Sequence, residues 1–294
     1  SFMQTGMGQS FDKATRDKSA ADYEHALVYD TINDLYYHPY WANDTLYFEE
    51  FRLSGKGDTT HKRVEQISYV IGSGQHTNSH LINKNGYLYQ APITFYTQKG
   101  QWDLAPGFEG GHNSRFERII AKECMTCHNG LPEMNEASVN KYQHIKLGID
   151  CERCHGPGEL HVKEKLAGKI VDTSKTGDWS IVNPKRLSKA RQMSLCQRCH
   201  LQGLSVLQEG KDFDDFLPGM HLHEVFNVYL PRFENADDAF IMASQAERLH
   251  LSDCYQMSDM TCIICHNPHK SVRVTPIEVF NDKYYKKTGQ KFKI

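Results

Sequence analysis

GIDCERCHGPGELH, residues 148–161, holds two cysteines, Cys151 and Cys154, separated by two residues and followed at once by His155. The same C-x-x-C-H pattern recurs at Cys124, Cys127 and His128, at Cys196, Cys199 and His200, and at Cys262, Cys265 and His266. Eight of the nine cysteines are therefore committed to four identical patterns. Two thiols at this spacing can form thioethers with the two vinyl groups on one edge of a haem, while the next side chain turns under the ring to ligate iron. Each motif then fixes one haem c and its proximal ligand. Cys124, Cys127, Cys151, Cys154, Cys196, Cys199, Cys262 and Cys265 would attach four haems, and His128, His155, His200 and His266 would bind their irons.

Paired C-x-x-C knuckles also build tetrahedral zinc sites, and four pairs could hold two ions. Zinc has no need of the adjacent histidine. With 16 histidines in 294 residues, four such neighbours arising by chance have a probability on the order of 10⁻⁵. Thioredoxin-like chemistry expects one C-x-x-C inside a βαβ pattern, and no such alternation is legible. A formal charge of −2 with dispersed Lys and Arg offers no basic stripe for nucleic acid. The longest apolar runs, such as AFIMA and EVFNVYL, fall far short of the roughly 20 residues of a membrane-spanning helix. SFMQTGMGQSF lacks the charged and apolar regions of an export signal and reads as a mature or trimmed end. Because haem is attached to cysteines outside the cytoplasm, the expected location is periplasmic or extracellular.

A low-spin electron carrier needs a second axial ligand on each iron, and sixteen histidines less four leaves twelve. His161 follows the second motif in CHGPGELH, and His269 follows the fourth in CHNPH. The three residues from His266 to His269 span at most roughly 10 Å, too little to pass round a macrocycle, so such histidines should serve neighbouring haems. His76 in GSGQHTNSH and His112 in GGHNSRF lie in Gly-rich loops, where backbone can approach a flat cofactor. His25, His38, His61, His80, His144, His221, His223 and His250 stay open as candidates, with His250 and His38 foremost. Met7, Met193 and Met257 could also ligate and would raise a site's potential, but packing against haem edges is their simpler role.

Ser114 and Glu117 read as a capping box, with Phe116, Ile120 and Cys124 at helical spacing behind it. Ser188 can open a helix running through Met193 into Cys196. DDAFIMASQAERLHLSD from Asp237 reads as another, and Thr275, Pro276 and Glu278 as one more start. Gly and Pro in HGPGEL, IVNPKRL and FLPGM punctuate the steps between motifs. Residues 26–104 read differently. LYYHPYW, DTLYFEEFRL, RVEQISYVIG and SHLINKNGYLYQAPITFY alternate with a period of two, and Asn85-Gly86 is a hairpin turn. The expectation is a mostly α and irregular multihaem cytochrome c whose core is organised by haem, with a small antiparallel β region near the N-terminus. Residues 1–113 would form that β-containing region and supply distal histidines, and residues 114–294 would form the haem-binding region.

MGQSF, YVIGSGQHTNSHL, FYTQKGQWDLAPGF, ECMTCHNG, GIDCERCHGPGELHV, VNPKRLSKARQMSLCQRCH, LPGM and SDCYQMSDMTCIICHNPH together resemble one group of proteins. They are the bacterial multihaem cytochromes related to the tetrahaem electron carrier of nitrifying bacteria, including those fused to tetratricopeptide repeats. The resemblance implies bis-histidine ligation, with His76, His112, His161 and His269 as distal ligands, and parallel and perpendicular haem pairs in close contact. Relatives often carry a further haem motif before the MGQSF-like segment and another after CHNPH. Neither is found in these residues: either the sequence is trimmed, or this is a four-haem version in which a helix from Pro276 through Tyr284 replaces the lost site. By the same resemblance Cys254, the odd cysteine, is a packed thiol.

The expected function is electron transfer along the four haems between redox partner proteins, among them other multihaem cytochromes or copies of the chain itself. Two alternatives stay open: a haem-based oxidoreductase of small nitrogen compounds with one open iron, and a subunit of a polymeric extracellular cytochrome wire. The lack of a C-x-x-C-K variant and the surplus of histidines weigh against the oxidoreductase.

Overall fold

The period of two in residues 26–104 becomes paired strands because alternate side chains of a strand point to opposite faces. The computed structural model describes residues 2–234 and 240–271. In it, residues 6–149 form one unit. Its strands are β1 (Phe11–Lys13), β2 (Val28–Asp30), β3 (Leu35–Ala42), β4 (Thr45–Leu53), β5 (Thr59–Gln66), β6 (Tyr69–Ile71), β7 (Thr77–Lys84), β8 (Tyr87–Gln90), β9 (Ile93–Tyr96), β10 (Gln101–Leu104) and β11 (Arg118–Ile119). The order β2-β3-β4-β5 makes a four-stranded antiparallel sheet. A seven-stranded sheet runs β1-β6-β7-β8-β11, with β9 paired to β7 and β10 to β9. β4 shows the logic: Leu46, Phe48 and Glu50 are buried, while Tyr47, Glu49 and Phe51 lie on the other face.

The apolar faces of both sheets meet in one core of Val28, Leu35, Tyr37, Leu46, Phe48, Ile82, Ile93 and Phe116. The Asn85-Gly86 hairpin forms as expected: both residues have positive φ, 55° and 91°, and Lys84 pairs with Tyr87 across a two-residue turn. A second turn of this kind, Asn43-Asp44 at φ 46° and 60°, joins β3 to β4 and is not flagged by the sequence reading.

The expectation of a mostly α chain is overturned. Strand exceeds helix, 26% against 22% of the described residues, and the β region is two sheets rather than one small one. The cause lies in the motifs. C-x-x-C-H occupies little more than one helical turn, so a haem motif does not require a long helix around it. In the first unit α1 (Lys122–His128) is followed by the hairpin of β12 (Glu133–Met134) and β13 (Tyr142–His144). The second unit comprises residues 150–294 with 1–5. It holds α2 (Glu152–His155), α3 (Glu159–Leu166), α4 (Lys189–His200), β14 (Leu204–Leu207), β15 (Phe226–Tyr229), α5 (Gln245–His250), α6 (Asp253–Gln256) and α7 (Cys262–Cys265).

Ser188 does precede α4, as expected. The Ser114 capping box does not form. Residues 118–119 pair as β11 with β8, and α1 starts only at Lys122 behind Ala121. Helix expected from Asp237 begins at Gln245, residues 235–239 lying outside the described residues. The starts expected at Thr275, Pro276 and Glu278, and the helix to Tyr284, also lie outside them. Among the described residues no helix is long and apolar enough to cross a membrane.

Candidate haem-binding sites

Residues three and four apart share a helix face, so Cys124, Cys127 and His128 stand together on one side of α1. The opposite side is the anchor. Met125 and Thr126 are buried, and Met125 packs with Phe11, Leu81, Leu88, Ile120 and Tyr142 on the seven-stranded sheet. Ser10 Oγ donates to the His128 carbonyl at 2.6 Å and holds the end of the helix. The second and third motifs bury an arginine in the position of Thr126, just before the second cysteine. Arg153 lies 3.7 Å from Asp214, and Arg198 donates to the Phe213 carbonyl at 3.1 Å with its guanidinium facing the Phe216 ring. One 3₁₀ turn, Phe213–Asp215, thus braces both motifs. The fourth motif is tied to the third through Thr261 Oγ1, which donates to Gln192 Oε1 of α4 at 2.8 Å.

This bracing gathers cysteines from different motifs. The Cys196 and Cys262 thiols are hydrogen-bonded, which together with burial pushes Cys196 up, while the same bond pulls Cys262 down. Burial, reinforced by the neighbouring Cys199, pushes the Cys154 thiol up to about 11. No cysteine among the described residues is joined to another in a disulfide. Among the described residues no three His, Cys, Asp or Glu side chains converge as a closed zinc site would require.

The imidazoles supply the sharper test of whether these residues suit haem. A metal-bound histidine normally donates its second ring N–H to a carbonyl or carboxylate, which fixes the tautomer. His155 Nδ1 donates to the Val182 carbonyl at 2.8 Å, leaving Nε2 as the nitrogen for iron. His161 Nδ1 lies 2.9 Å from Ser180 Oγ, and His200 Nδ1 lies 3.4 Å from Gln245 Oε1. The His155 and His269 rings are nearly parallel, 17° apart in tilt, with centroids 5.8 Å apart. Two metal–nitrogen bonds of about 2 Å each, plus half an imidazole on either side, span about 6 Å, so the separation of this pair matches that of two imidazoles that would share one iron. After His155 the chain turns through Gly156 at φ 78°, a conformation that disfavours a side chain.

A cavity of about 830 Å³, lined by Cys151, Gly156, His161, Val162, Leu166 and Ile181 among others, opens beside the second motif. That volume lies within the ~300–1,000 Å³ typical of small-molecule and cofactor sites. The residues present therefore fit haem.

The other sequence candidates fare differently. His76 and His112 are exposed in loops of the first unit, and among the described residues no ring pair links either to a motif histidine. His250 Nε2 is engaged by Gln197 at 3.2 Å, and its ring packs on Tyr255. His38 lies beside Glu49 and stacks on Tyr40. His80 is fully buried in the β core. His221 and His223 pair with each other, while His25 and His144 are exposed. Met193 is buried in α4, Met257 is exposed, and Met7 is half-buried.

His61 belongs to a buried polar cluster that carries no sequence signature. Arg115, itself at φ 58°, binds both oxygens of the wholly buried Glu50, and His61 Nε2 lies 3.0 Å from the same carboxylate. Burial alone would push the Glu50 carboxyl up, but Arg115 and His61 outweigh it and hold the carboxyl below its usual value. Asn113 extends the cluster, donating to Asp30 at 2.7 Å and to the Tyr37 hydroxyl at 2.9 Å. Asp178, Ser180, Val182 and Asp214 also escaped the sequence reading. They belong to no motif, and only the fold brings them to the motif residues.

Comparison with known proteins agrees with the motifs. The family model described as "Cytochrome c554 and c-prime" matches residues 109–156, which include His112 and the first two C-x-x-C-H motifs. A protein named multiheme cytochrome MtrA, from Shewanella baltica (strain OS185), is 23% identical over 165 residues, covering 52% of this chain and 47% of that protein. The chain thus spans about half the length of this curated relative. No solved structure matches the chain. The two matches support a multihaem c-type cytochrome, with haem c as its cofactor.

Proposed function

We propose that the chain is an electron carrier holding four haems c, attached at its four C-x-x-C-H motifs and mostly ligated by two histidines each. The bound haem irons would supply one-electron chemistry, cycling between ferric and ferrous states. The protein's own part is to fix and orient the ligands. His128, His155, His200 and His266 are the proximal ligands, and His76, His112, His161 and His269 the distal ones. Residues 1–113 supply His76 and His112, and residues 114–294 carry the motifs.

The observation that carries this reading is the pairing of His155 with His269. The latter follows the fourth motif, cannot reach round its own haem, and lies parallel to the proximal histidine of the second motif at 5.8 Å. A ligand lent from one motif to the haem of another ties the cofactors into a contiguous path. Electrons would enter and leave through docked redox proteins, either other multihaem cytochromes or further copies of this chain, in the periplasm or at the cell surface.

Pyridine haemochrome analysis of the purified holoprotein should return four haems c per chain. Low-temperature electron paramagnetic resonance should show ferric iron that is chiefly low-spin. Pigment extractable by acidified acetone would refute covalent attachment, and predominantly high-spin iron that binds carbon monoxide would refute the carrier reading in favour of an open catalytic site.

A further inference from the structure

The segment Asp178-Trp179-Ser180-Ile181-Val182 reaches two imidazoles on their Nδ1 sides. Val182 takes the Nδ1 proton of His155 on its carbonyl at 2.8 Å, and its own N–H donates to the His155 carbonyl at 3.0 Å. Two residues earlier, Ser180 Oγ lies 2.9 Å from His161 Nδ1. A hydroxyl has one proton to give. Ser180 gives it to Asp178 Oδ1 at 2.5 Å, so towards His161 its oxygen accepts. The result is a relay in which His161 Nδ1–H donates to a hydroxyl that is itself polarised by a carboxylate.

The relay is built rather than incidental. Ser180 N–H also donates to Asp178 Oδ1 at 3.1 Å, which locks the turn. Lys165 Nζ binds Asp178 Oδ2 at 2.7 Å, and Lys165 follows His161 by four residues on α3, so both project from one helix face. Lys165 and Ser180 thus occupy one oxygen each of the Asp178 carboxylate. The intervening residues point elsewhere: Trp179 is 86% exposed, and Ile181 lines the cavity beside Cys151 together with His161.

We propose that the 178–182 strap is an outer-sphere element that grades two haem potentials, making the iron bound by His161 harder to reduce than the iron bound by His155. This rests on the reading of both histidines as axial ligands. A carbonyl is a neutral acceptor, whereas a hydroxyl bonded to a carboxylate is a charge-assisted one, and hydrogen bonds in such chains polarise one another. The stronger acceptor draws the Nδ1 proton and enriches Nε2, raising ligand basicity. A more basic ligand favours the ferric over the ferrous state. Asp178 and Ser180 are therefore positioning residues that act through His161.

The test is a potentiometric titration of the holoprotein followed by electron paramagnetic resonance, so that individual haems are resolved, for S180A, S180T and D178N beside the parent. Loss of an outer-sphere partner typically costs 10–100-fold in metal affinity or activity, and a change of that order in the binding of one oxidation state over the other is the scale expected here. At the low end, S180A should shift one ferric/ferrous equilibrium about tenfold, raising one midpoint by about 59 mV for one electron. The other three midpoints should stay in place. D178N should raise the same midpoint, and S180T, which keeps the hydroxyl, should restore it. Four low-spin haems with no midpoint moved by S180A, or all four moved together, would overturn the proposal while leaving the carrier reading intact. H161A separates the two: if every iron stays low-spin with unchanged midpoints, His161 is not a ligand, and the ligand assignment falls with the inference.

Discussion

Replacing His80 by phenylalanine should flatten the acid sensitivity of the first unit's β core. His80 sits on β7 with no exposed surface, its ring 4.9 Å from that of Phe48 and 5.2 Å from that of Trp102. Burial holds its imidazole down at about 3, outweighing the Ile93 backbone, which acts in the other direction. An unfolded histidine titrates near 6.5. Because the folded value is the lower one, acid favours the unfolded chain. This group's contribution is fully present above about pH 6.5 and is lost as pH falls from there towards about 3.

With about 1.36 kcal/mol per unit, the loss is about 0.2 kcal/mol at pH 7 and about 2 kcal/mol at pH 5. It approaches about 5 kcal/mol only below pH 3. At pH 5 the answer is insensitive to the folded value, since any pKa well below 5 leaves the buried ring neutral. Hydrogen exchange of β7 and β8 amides in the holoprotein, corrected for intrinsic rates, reads this opening free energy in place. Between pH 7 and pH 5 the protection of the parent should fall roughly 30-fold more than that of H80F, the equivalent of about 2 kcal/mol. Equal losses in the two proteins would refute the argument, because the ring would then be protonated, or hydrated, in the folded state.

H269A should convert about one iron in four to the high-spin state, read by electron paramagnetic resonance, whereas H250A should leave all four low-spin. R115M should destabilise the first unit by about 3 kcal/mol in denaturant titrations, because Glu50 is left buried and charged without its partner; the double variant E50M/R115M should recover most of that loss. The stability that Glu50 contributes in the parent is present above its ordinary carboxyl value and is lost as pH falls through its lowered one. The variant C262A/C265A should return three haems in place of four by pyridine haemochrome.

The parts of the fold legible in the sequence are those governed by local rules. Period-two alternation in LYYHPYW and DTLYFEEFRL marks β3 and β4, and Asn85-Gly86 marks a turn that needs two positive φ angles. The errors came where one local rule competed with tertiary pairing. Ser114, Phe116, Ile120 and Cys124 have helical spacing, yet residues 118–119 are taken by β8, and Phe116 and Ile120 are buried in two different clusters. The turn at Arg115, φ 58°, cuts Ser114 off from any helix that Phe116 could join. It is stabilised by the salt bridge to Glu50, some sixty residues earlier, a contact no sequence window contains. The short helices that carry the motifs have no periodic signature either. Helices of four to seven residues, such as α1, α2 and α7, are too short to stand alone in water. Periodicity cannot register them, and their stability comes from anchors such as Met125 and Arg153.

The candidate sites divide along the same line. On the proposed reading, covalent attachment and the proximal ligand are written in five consecutive residues, because both must act on one edge and one face of a single ring. Everything that tunes the ligand is non-local. Val182 lies 27 residues from His155, and Ser180 lies 19 from His161. Asp178-Trp-Ser-Ile-Val182 reads in sequence only as connecting chain. A motif of fixed spacing gives every haem nearly the same inner set of thioethers and imidazole, and identical sites would have similar potentials. The difference between a neutral carbonyl behind His155 and a carboxylate-backed hydroxyl behind His161 is a means by which repeated motifs can become unequal haems. Direction along a chain of such carriers depends on inequality of this kind, so on the proposed reading the residues that would set the course of an electron are those the motif does not contain.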